Sequence, residues 1–335
     1  MKRIISLLLA LALTLSLTAC TAPAEKADGG KLQIVTTLFP YYDFARAIAQ
    51  DRADVTLLLS PGREAHSFEP TPLDAVTISE ADVFLYNGGE GEYWVESMLD
   101  AAGEHIAVAS RMMDYVDALN EEYVEGMQGV DGHDHDHEHG SHDDHDHDHE
   151  EDEHDSDEVE YDEHIWTSPK NAVVLCRTVC DAICRADAEN AAFYRANCEN
   201  YCAQLEDLDA RFAALCESAP RRLLIFADRF PMLYFCREYG LDYRAAFHGC
   251  SGDTEPSLAT IKFLIDKVED ENIPVVYTID FGTKKVAAVV SECTGAAIET
   301  LYSMQTVSRA DFDAGETYLT LMERNYEALR KGLNA

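Results

Sequence analysis

The feature that most constrains the fold is an alternation of short apolar runs with helical patterns, and it occurs twice along the chain. In the first half, the apolar runs cover 32–38, 54–60, 82–88 and 105–110, and the helical patterns cover 41–51, 71–80 and 93–102. In the second half, the apolar runs cover 221–228, 243–247, 274–280 and 296–303, and the helical patterns cover 230–238, 257–271, 284–293 and 316–332. Strands that are apolar on both faces and alternate with helices form parallel sheets covered on both sides. The sequence therefore predicts an α/β protein with two doubly covered parallel-sheet lobes.

A helical stretch without apolar strand runs separates the two halves. Ser168 and Pro169 offer a helix N-cap followed by proline at the first helical position. A second helix begins near Ala188 and carries apolar residues at intervals of four and three: Tyr201, Leu205, Leu208, Phe212 and Leu215. A helix of about thirty residues is ~45 Å long. We therefore predict a long, rigid helix that joins the lobes, with a ligand site in the crevice between them.

The first twenty residues have the pattern of an exported lipoprotein. Two basic residues precede a largely apolar run from Ile4 to Leu17, which is shorter than the ~20 residues of a membrane-spanning helix. The run ends in "LTAC", which resembles a bacterial lipobox in which Cys20 receives lipid. We expect an extracytoplasmic protein that this lipid anchors to the outer leaflet of the cell membrane.

Much of the formal net charge of −37 lies in one histidine-rich segment. Residues 131–163 carry eighteen acidic and no basic side chains, and 133–149 hold eight of the thirteen histidines. This charge repels nucleic acid and attracts cations, so we expect no nucleic-acid partner. The stretch from 133 to 158 has no apolar residue to bury, which predicts a disordered loop. We interpret it as a metal-collecting loop whose ligands are His133, His135, His137, His139, His142, His145, His147, His149 and His154.

These patterns divide the chain into segments. In order, we predict a signal peptide (1–19), a tether (20–30), an N-terminal lobe (31–130 plus 159–167), the metal-collecting loop inserted within it (131–158), a helical connector (168–217) and a C-terminal lobe (218–335).

Nine cysteines follow Cys20, an odd number for an exported protein. Cys176, Cys180 and Cys184 are spaced four apart and would stack along one face of a helix, as zinc or redox cysteines can. They lack the C-x-x-C spacing, however, and buried thiols that pack as small apolar groups are the commoner case. We therefore interpret these three as core residues.

Four metal-ligand side chains occupy comparable places in the predicted topology. His66 and Asp228 each follow an apolar run, Asp280 ends another, and His164 comes shortly before the connector. Because parallel sheets place ligands at the carboxyl ends of their strands, we predict one metal site built from two imidazoles and two carboxylates. His248, after a further run, is either a third imidazole of this site or a solvent-facing loop residue.

Several neighbouring residues have predicted supporting roles. Asp162 and Glu64 are expected to orient the imidazoles, and Glu92 and Trp94 to shape the lobe core and the crevice wall. His105 opens a predicted strand and is interpreted as structural.

Four stretches resemble the zinc and manganese substrate-binding lipoproteins of ABC importers, the ZnuA and AdcA group. They are "GREAHSFEP", "NGGEGEYW", "DEHIWTSPKNA" and "GETYLTLMERNYEAL", and the resemblance runs from about residue 32 to 332. It implies that His66 and His164 are the first two ligands and Asp280 the acidic one. The family's third motif usually supplies a histidine that "ADRFPMLYFCREYGL" lacks, and Asp228 is the nearest replacement.

Two imidazoles and two carboxylates suit Mn²⁺ or Fe²⁺ as well as Zn²⁺. The histidine-rich loop, which accompanies the zinc members of the family, favours Zn²⁺ over Mn²⁺. The sequence thus predicts a monomeric, high-affinity zinc-binding protein that delivers Zn²⁺ to an ABC permease and its ATPase and is not an enzyme. The alternatives are a manganese or iron protein of the same class, a zinc buffer, or an exported zinc hydrolase, although "HEHGS" fails the H-E-x-x-H pattern.

Overall fold

The computed structural model describes residues 30–63, 68–103, 106–128, 160–249 and 255–334. Within the compact unit formed by residues 32–335 there are two four-stranded sheets. The strands are β1 (Leu32–Thr36), β2 (Ala53–Leu57), β3 (Val83–Tyr86), β4 (Val108–Arg111), β5 (Leu223–Phe230), β6 (Asp242–His248), β7 (Val275–Ile279) and β8 (Ala297–Leu301).

Ten α-helices are described around these sheets. They are α1 (Phe39–Ala49), α2 (Pro72–Ser79), α3 (Trp94–Ala102), α4 (Pro169–Ala186), α5 (Ala191–Ser218), α6 (Leu233–Tyr239), α7 (Leu258–Asp270), α8 (Lys285–Thr294), α9 (Arg309–Ala314) and α10 (Tyr318–Leu333). No helix among the described residues has both the length and the apolar composition needed to cross a membrane.

Both sheets are entirely parallel and share one topology, β2-β1-β3-β4 and β6-β5-β7-β8. The predicted α/β fold with two doubly covered lobes is confirmed. In each sheet the strand order reverses between the two central strands, β1 and β3 or β5 and β7. In open α/β sheets, ligands bind outside the carboxyl ends of the strands at such a reversal. The fold therefore directs attention to the residues that follow these strands.

The predicted connector consists of α4 and α5, which pack along each other. Ser168 caps α4 by accepting the backbone N–H of Asn171 at 3.3 Å, and Pro169 occupies the first turn. The 28 residues of α5 correspond to ~42 Å of helix. The apolar faces of both helices belong to one buried cluster that also contains Ile34 of the first sheet and Tyr277 of the second. The connector is thus continuous with the cores of both lobes.

A short strap, Leu119–Gln128, lies along the second sheet although it follows the strands of the first. It pairs with the segment that enters the connector: the N–H of Glu121 donates to Glu160 O at 2.8 Å, and the N–H of Asp162 donates to Leu119 O at 2.9 Å. At its far end the N–H of Gln128 donates to Ala246 O in β6 at 2.9 Å. Gln128 and Glu160, the described residues that flank 129–159, are therefore both held in place by backbone hydrogen bonds.

Candidate metal site

His164 is buried at the end of the segment that enters the connector, with 1% of its surface exposed. Its Nδ1 lies 3.2 Å from Asp162 Oδ1, and the same oxygen accepts the backbone N–H of His164 at 2.8 Å. When Nδ1 donates this hydrogen bond, the ring lone pair is on Nε2. A carboxylate on the second ring nitrogen is the usual support of a metal-ligating histidine.

Opposing effects set the protonation of this imidazole. Burial alone lowers the pKa of His164, but the charge and hydrogen bond of Asp162 and the charges of Glu121 and Glu163 raise it above its ordinary value. A site with this much negative potential attracts a cation, whether that cation is a proton or a metal ion.

Groups of the second lobe hold the segment that carries His164. The Tyr234 hydroxyl donates to Asp162 O at 2.8 Å and accepts the Leu119 N–H at 3.0 Å. The Trp166 indole donates to Ser303 O at 2.7 Å, and the Tyr318 hydroxyl donates to Trp166 O at 2.7 Å. His164 therefore belongs to the first lobe in sequence but is positioned by the second.

Asp280 immediately follows β7, as the sequence predicts. Its Oδ1 accepts the backbone N–H of Ser303 at 3.1 Å, and Ser303 O receives the Trp166 indole N–H. The Trp166 and His164 rings are 5.6 Å apart, centroid to centroid. Burial raises the pKa of Asp280 to about 6. Contacts through Ser303 and Trp166 therefore link the Asp280 carboxylate of the second lobe to the His164 imidazole of the first.

Asp228 lies inside β5, because this strand continues to Phe230 past a register shift between Phe226 and Arg229. Such bulges re-aim side chains. The Asp228 carboxylate accepts the Thr278 hydroxyl at 2.6 Å and the N–H of Ile279 at 3.4 Å, so it reaches the end of β7. It also lies against Gly282, where an added Cβ would sit only 1.7 Å from Asp228 Oδ2. Asp228 therefore packs beneath the loop that begins at Asp280.

His248 ends β6, and its Nδ1 lies 3.0 Å from Glu121 Oε1 of the strap. The same oxygen accepts the N–H of Gly249 at 2.7 Å. Gly249 approaches the His164 ring so closely that an added Cβ would lie 3.2 Å from Nδ1 and from Cε1. The end of β6 thus reaches the site through Gly249, while His248 is paired with a carboxylate.

Glu121 is a residue of this site that the sequence did not indicate. It lies in an irregular stretch with no periodic pattern, 127 residues before its partner His248. Its charge also raises the pKa of His164.

The loop that contains His66 is described only at its two ends. Phe68, just beyond it, lines a small cavity together with Leu59, Glu92, Trp94 and Glu163, the neighbour of His164. Glu92 and Trp94 are buried, in line with their predicted structural roles. Residues of the predicted functional set that lie outside the described ranges are His66, Glu64, His105, Cys20 and the nine histidines of the metal-collecting loop.

The described candidate ligands do not form one tight cluster. Within the described ranges, the only three His, Cys, Asp or Glu side chains whose ligand atoms all lie within 4.8 Å of one another are Cys176, Cys198 and Cys202. The assignment of His66, His164, Asp228 and Asp280 as the ligand set, with His248 as an alternative, stays a prediction.

Two parallel-sheet lobes, a helical connector and polar side chains at the strand reversals define a substrate-binding protein of the connector-helix class. A family model described as the periplasmic component A of a zinc-uptake complex, ZnuA, matches residues 34–332, and the chain belongs to this family. The resemblance found in the sequence is thereby confirmed.

Among curated relatives, the chain is 31% identical over 316 residues to the high-affinity zinc uptake system protein ZnuA of Bacillus subtilis (strain 168), covering 93% of this chain and 91% of the relative. It is 30% identical over 334 residues to the zinc-binding lipoprotein AdcA of Streptococcus pneumoniae (strain R6), covering 99% of this chain but only 61% of the relative.

Solved structures give the same result. The Zn(II)-bound ZnuA-like domain of Streptococcus pneumoniae AdcA superposes with a TM-score of 0.70 at 26% identity, covering 91% of this chain and 100% of that one. The metal-dependent lipoprotein YcdH of Bacillus subtilis superposes with a TM-score of 0.72 at 29% identity, with the same coverage.

Proposed function

We propose that this protein captures Zn²⁺ outside the cytoplasmic membrane and delivers it to an ABC importer. The observation that carries the proposal is the buried His164, supported by Asp162 on Nδ1 and connected through Trp166 and Ser303 to Asp280 of the other lobe. An imidazole that the second lobe positions and a carboxylate that follows β7 are ligand types that suit one Zn²⁺ held between the lobes.

The proposed ligands are His66, His164, Asp228 and Asp280. Asp228 would have to exchange its hydrogen bond with Thr278 for the metal, and His248 is the alternative if it leaves Glu121. A zinc ion with four protein ligands has no open position for a reactive water, so the proposed site binds without catalysis. The histidines and the zinc-named relatives favour Zn²⁺ over Mn²⁺ as the cargo.

The metal-collecting loop is proposed to feed this site. Its described flanks are Gln128 and Glu160, and Glu160 pairs with Glu121, which lies beside Gly249 and the His164 ring. Nine histidines attached at this point would raise the local concentration of zinc where the ion must enter. Deletion of the loop should therefore slow capture at low free zinc while leaving the tight site intact.

The remaining parts of the proposal concern the cell surface. Lipid on Cys20 would hold the protein at the outer leaflet of the membrane. A permease with its ATPase would accept the ion from the loaded protein, which is proposed to act as a monomer.

Competitive zinc and manganese titration, with bound metal counted, tests the proposal. The proteins to compare are the full chain, a chain lacking 131–158, His164→Ala and His248→Ala, the last of which tests the alternative ligand. We expect the chain lacking 131–158 to bind as many tight zinc ions as the full chain, and His164→Ala to bind one fewer. An unchanged number of tight zinc ions in His164→Ala would overturn the proposed site, and a lower number on loop deletion would overturn the collector role.

A further inference from the structure

Five cysteines face one another across the interface between α4 and α5. Cys176, Cys180 and Cys184 lie on α4, and Cys198 and Cys202 lie on α5. All five are buried, and Cys176 and Cys202 have no exposed surface. The cluster lies within the connector, separate from the residues proposed to bind zinc between the lobes.

The sulfur positions in this cluster match those of a metal–thiolate site. The Sγ atoms of Cys176, Cys198 and Cys202 all lie within 4.8 Å of one another, and those of Cys198 and Cys202 are 3.8 Å apart. In a tetrahedral zinc site with Zn–S distances of about 2.3 Å, neighbouring sulfurs are about 3.8 Å apart. Cys180 Sγ lies 4.0 Å from Cys184 Sγ and interacts with the Cys198 thiol, although it lies outside the group of three sulfurs. It is therefore the nearest fourth thiol.

The local electrostatics favour a thiolate at the centre of this cluster. Hydrogen bonds from the thiols of Cys176, Cys180 and Cys202 lower the pKa of Cys198. The half-exposed Arg177 interacts with Cys202 from outside, and its charge contributes to the lowered pKa of Cys198. The pKa of Cys202 itself is raised, by its hydrogen bond with Cys198 and by burial. A guanidinium beside the cluster would offset the negative charge of a metal ion bound by three or four thiolates.

One end of the cluster lies at the protein surface. Cys184 lines a surface pocket together with Thr178, Asp181, Arg185 and Arg195. From Cys184 the sulfurs continue one helical turn at a time, through Cys180, to the Cys176, Cys198 and Cys202 trio.

We infer that Cys176, Cys198 and Cys202, with Cys180 as the fourth thiol, bind one thiophilic divalent ion of the Zn²⁺ and Cd²⁺ class as a structural site within the connector. The inference does not rest on the proposed function of the lobe interface. Each thiol that coordinates the ion releases its proton to solvent, and no oxidant or reductant is needed. An ion bound to both α4 and α5 would cross-link the two helices of the connector and stabilise the folded state.

The test uses the full chain carrying His164→Ala, reduced and metal-free, titrated anaerobically with Cd²⁺ and with Co²⁺. We expect a sulfur-to-metal charge-transfer band that saturates at one equivalent, which nitrogen and oxygen ligands do not produce. The band should disappear in Cys198→Ala and persist in Cys216→Ala, because Cys216 is a buried cysteine of the same helix outside the cluster. X-ray absorption of the zinc form of His164→Ala would count sulfur ligands without any cysteine variant.

Three results would overturn the inference. The first is the absence of a thiolate band together with an X-ray absorption spectrum that shows only nitrogen and oxygen ligands. The second is a band of equal intensity in Cys198→Ala and Cys216→Ala. The third is a disulfide between α4 and α5 in the mass spectrum of unreduced native protein. The proposed function fails independently, if His164→Ala, which keeps its cysteines, binds as many tight zinc ions as the unmodified chain.

Discussion

One carboxylate oxygen of Asp162 contacts His164 twice, through the ring Nδ1 at 3.2 Å and through the backbone N–H at 2.8 Å. The double contact fixes both the rotation of the ring and the path of the chain that carries it. The imidazole is therefore held in one orientation, so a ligand proposed to bind its Nε2 would not have to order the ring.

Replacement of Asp162 by Asn should weaken zinc binding by roughly 10- to 100-fold, because this second-sphere carboxylate orients the imidazole and raises its basicity. Competition with a chelator of known affinity measures the change. Asp117→Asn, an exposed change just before the strap, is the control and should bind like the unmodified protein. Unchanged affinity in Asp162→Asn would show that the pair does not support a ligand.

Zinc affinity should fall with decreasing pH through about 6. The pKa of Asp280 is raised to about 6 and that of His164 lies above its ordinary value. Below these values protons occupy the groups that the ion needs, and above them both groups are available, so affinity rises with pH and then levels off. Titrations from about pH 5 to about pH 8 measure this dependence. Asp280→Asn should flatten the acidic part of the curve, and an unchanged curve in that variant would contradict the assignment.

Glu92→Gln should stabilise the protein at alkaline pH. Burial raises the pKa of Glu92 from 4.5 to about 7, so the folded state binds its proton more tightly than the unfolded state does. This contribution is fully present below pH 4.5 and is lost as the pH rises through about 7. Removing the ionisable group should add at most about 3 kcal/mol to the free energy of unfolding above that pH.

Urea unfolding at about pH 8 and about pH 5 measures the effect of Glu92→Gln, which should be smaller at the lower pH. The control is Glu96→Gln, which replaces an exposed carboxylate four residues further along the chain. It should change the free energy of unfolding little at either pH. A variant equally stable to the unmodified protein at both pH values would refute the buried carboxylate's role.

Tyr234→Phe should cost about 1–3 kcal/mol of stability, because it leaves the Leu119 N–H and Asp162 O without the hydroxyl that joins them. It should also weaken zinc binding by loosening the segment that carries His164. Tyr277→Phe is the matched control: its hydroxyl is buried without a hydrogen-bond partner among the described residues, so its removal should be neutral or stabilising. Thermal unfolding and zinc competition compare the two variants, and equal effects would argue against the proposed link.

Much of this fold was predictable because local patterns determine it. Ser168 and Pro169 marked the start of α4, and the placement of Asp280 followed from the apolar run before it. The bulge that carries Asp228 was not predictable, since it arises from pairing between β5 and β6 and leaves no local pattern. Glu121 was missed for the same reason, because its place beside His248 depends on how the strap packs against the second sheet.

The cysteines show the same division between local and long-range information. Spacing placed Cys176, Cys180 and Cys184 on one helical face, and the prediction that they are buried is confirmed. That this face meets Cys198 and Cys202 follows only from the packing of α4 against α5. A four-residue repeat on one helix carries no information about the partner helix.

The pairing of the strap with the segment before His164 has a consequence for engineering. Backbone hydrogen bonds at Glu121 and Asp162, and the Tyr234 hydroxyl, hold the two sides of 129–159 together without the peptide bonds between them. Two separately produced polypeptides divided there would carry matching halves of one interface. We expect the two fragments to reassemble into one folded protein that lacks the metal-collecting loop.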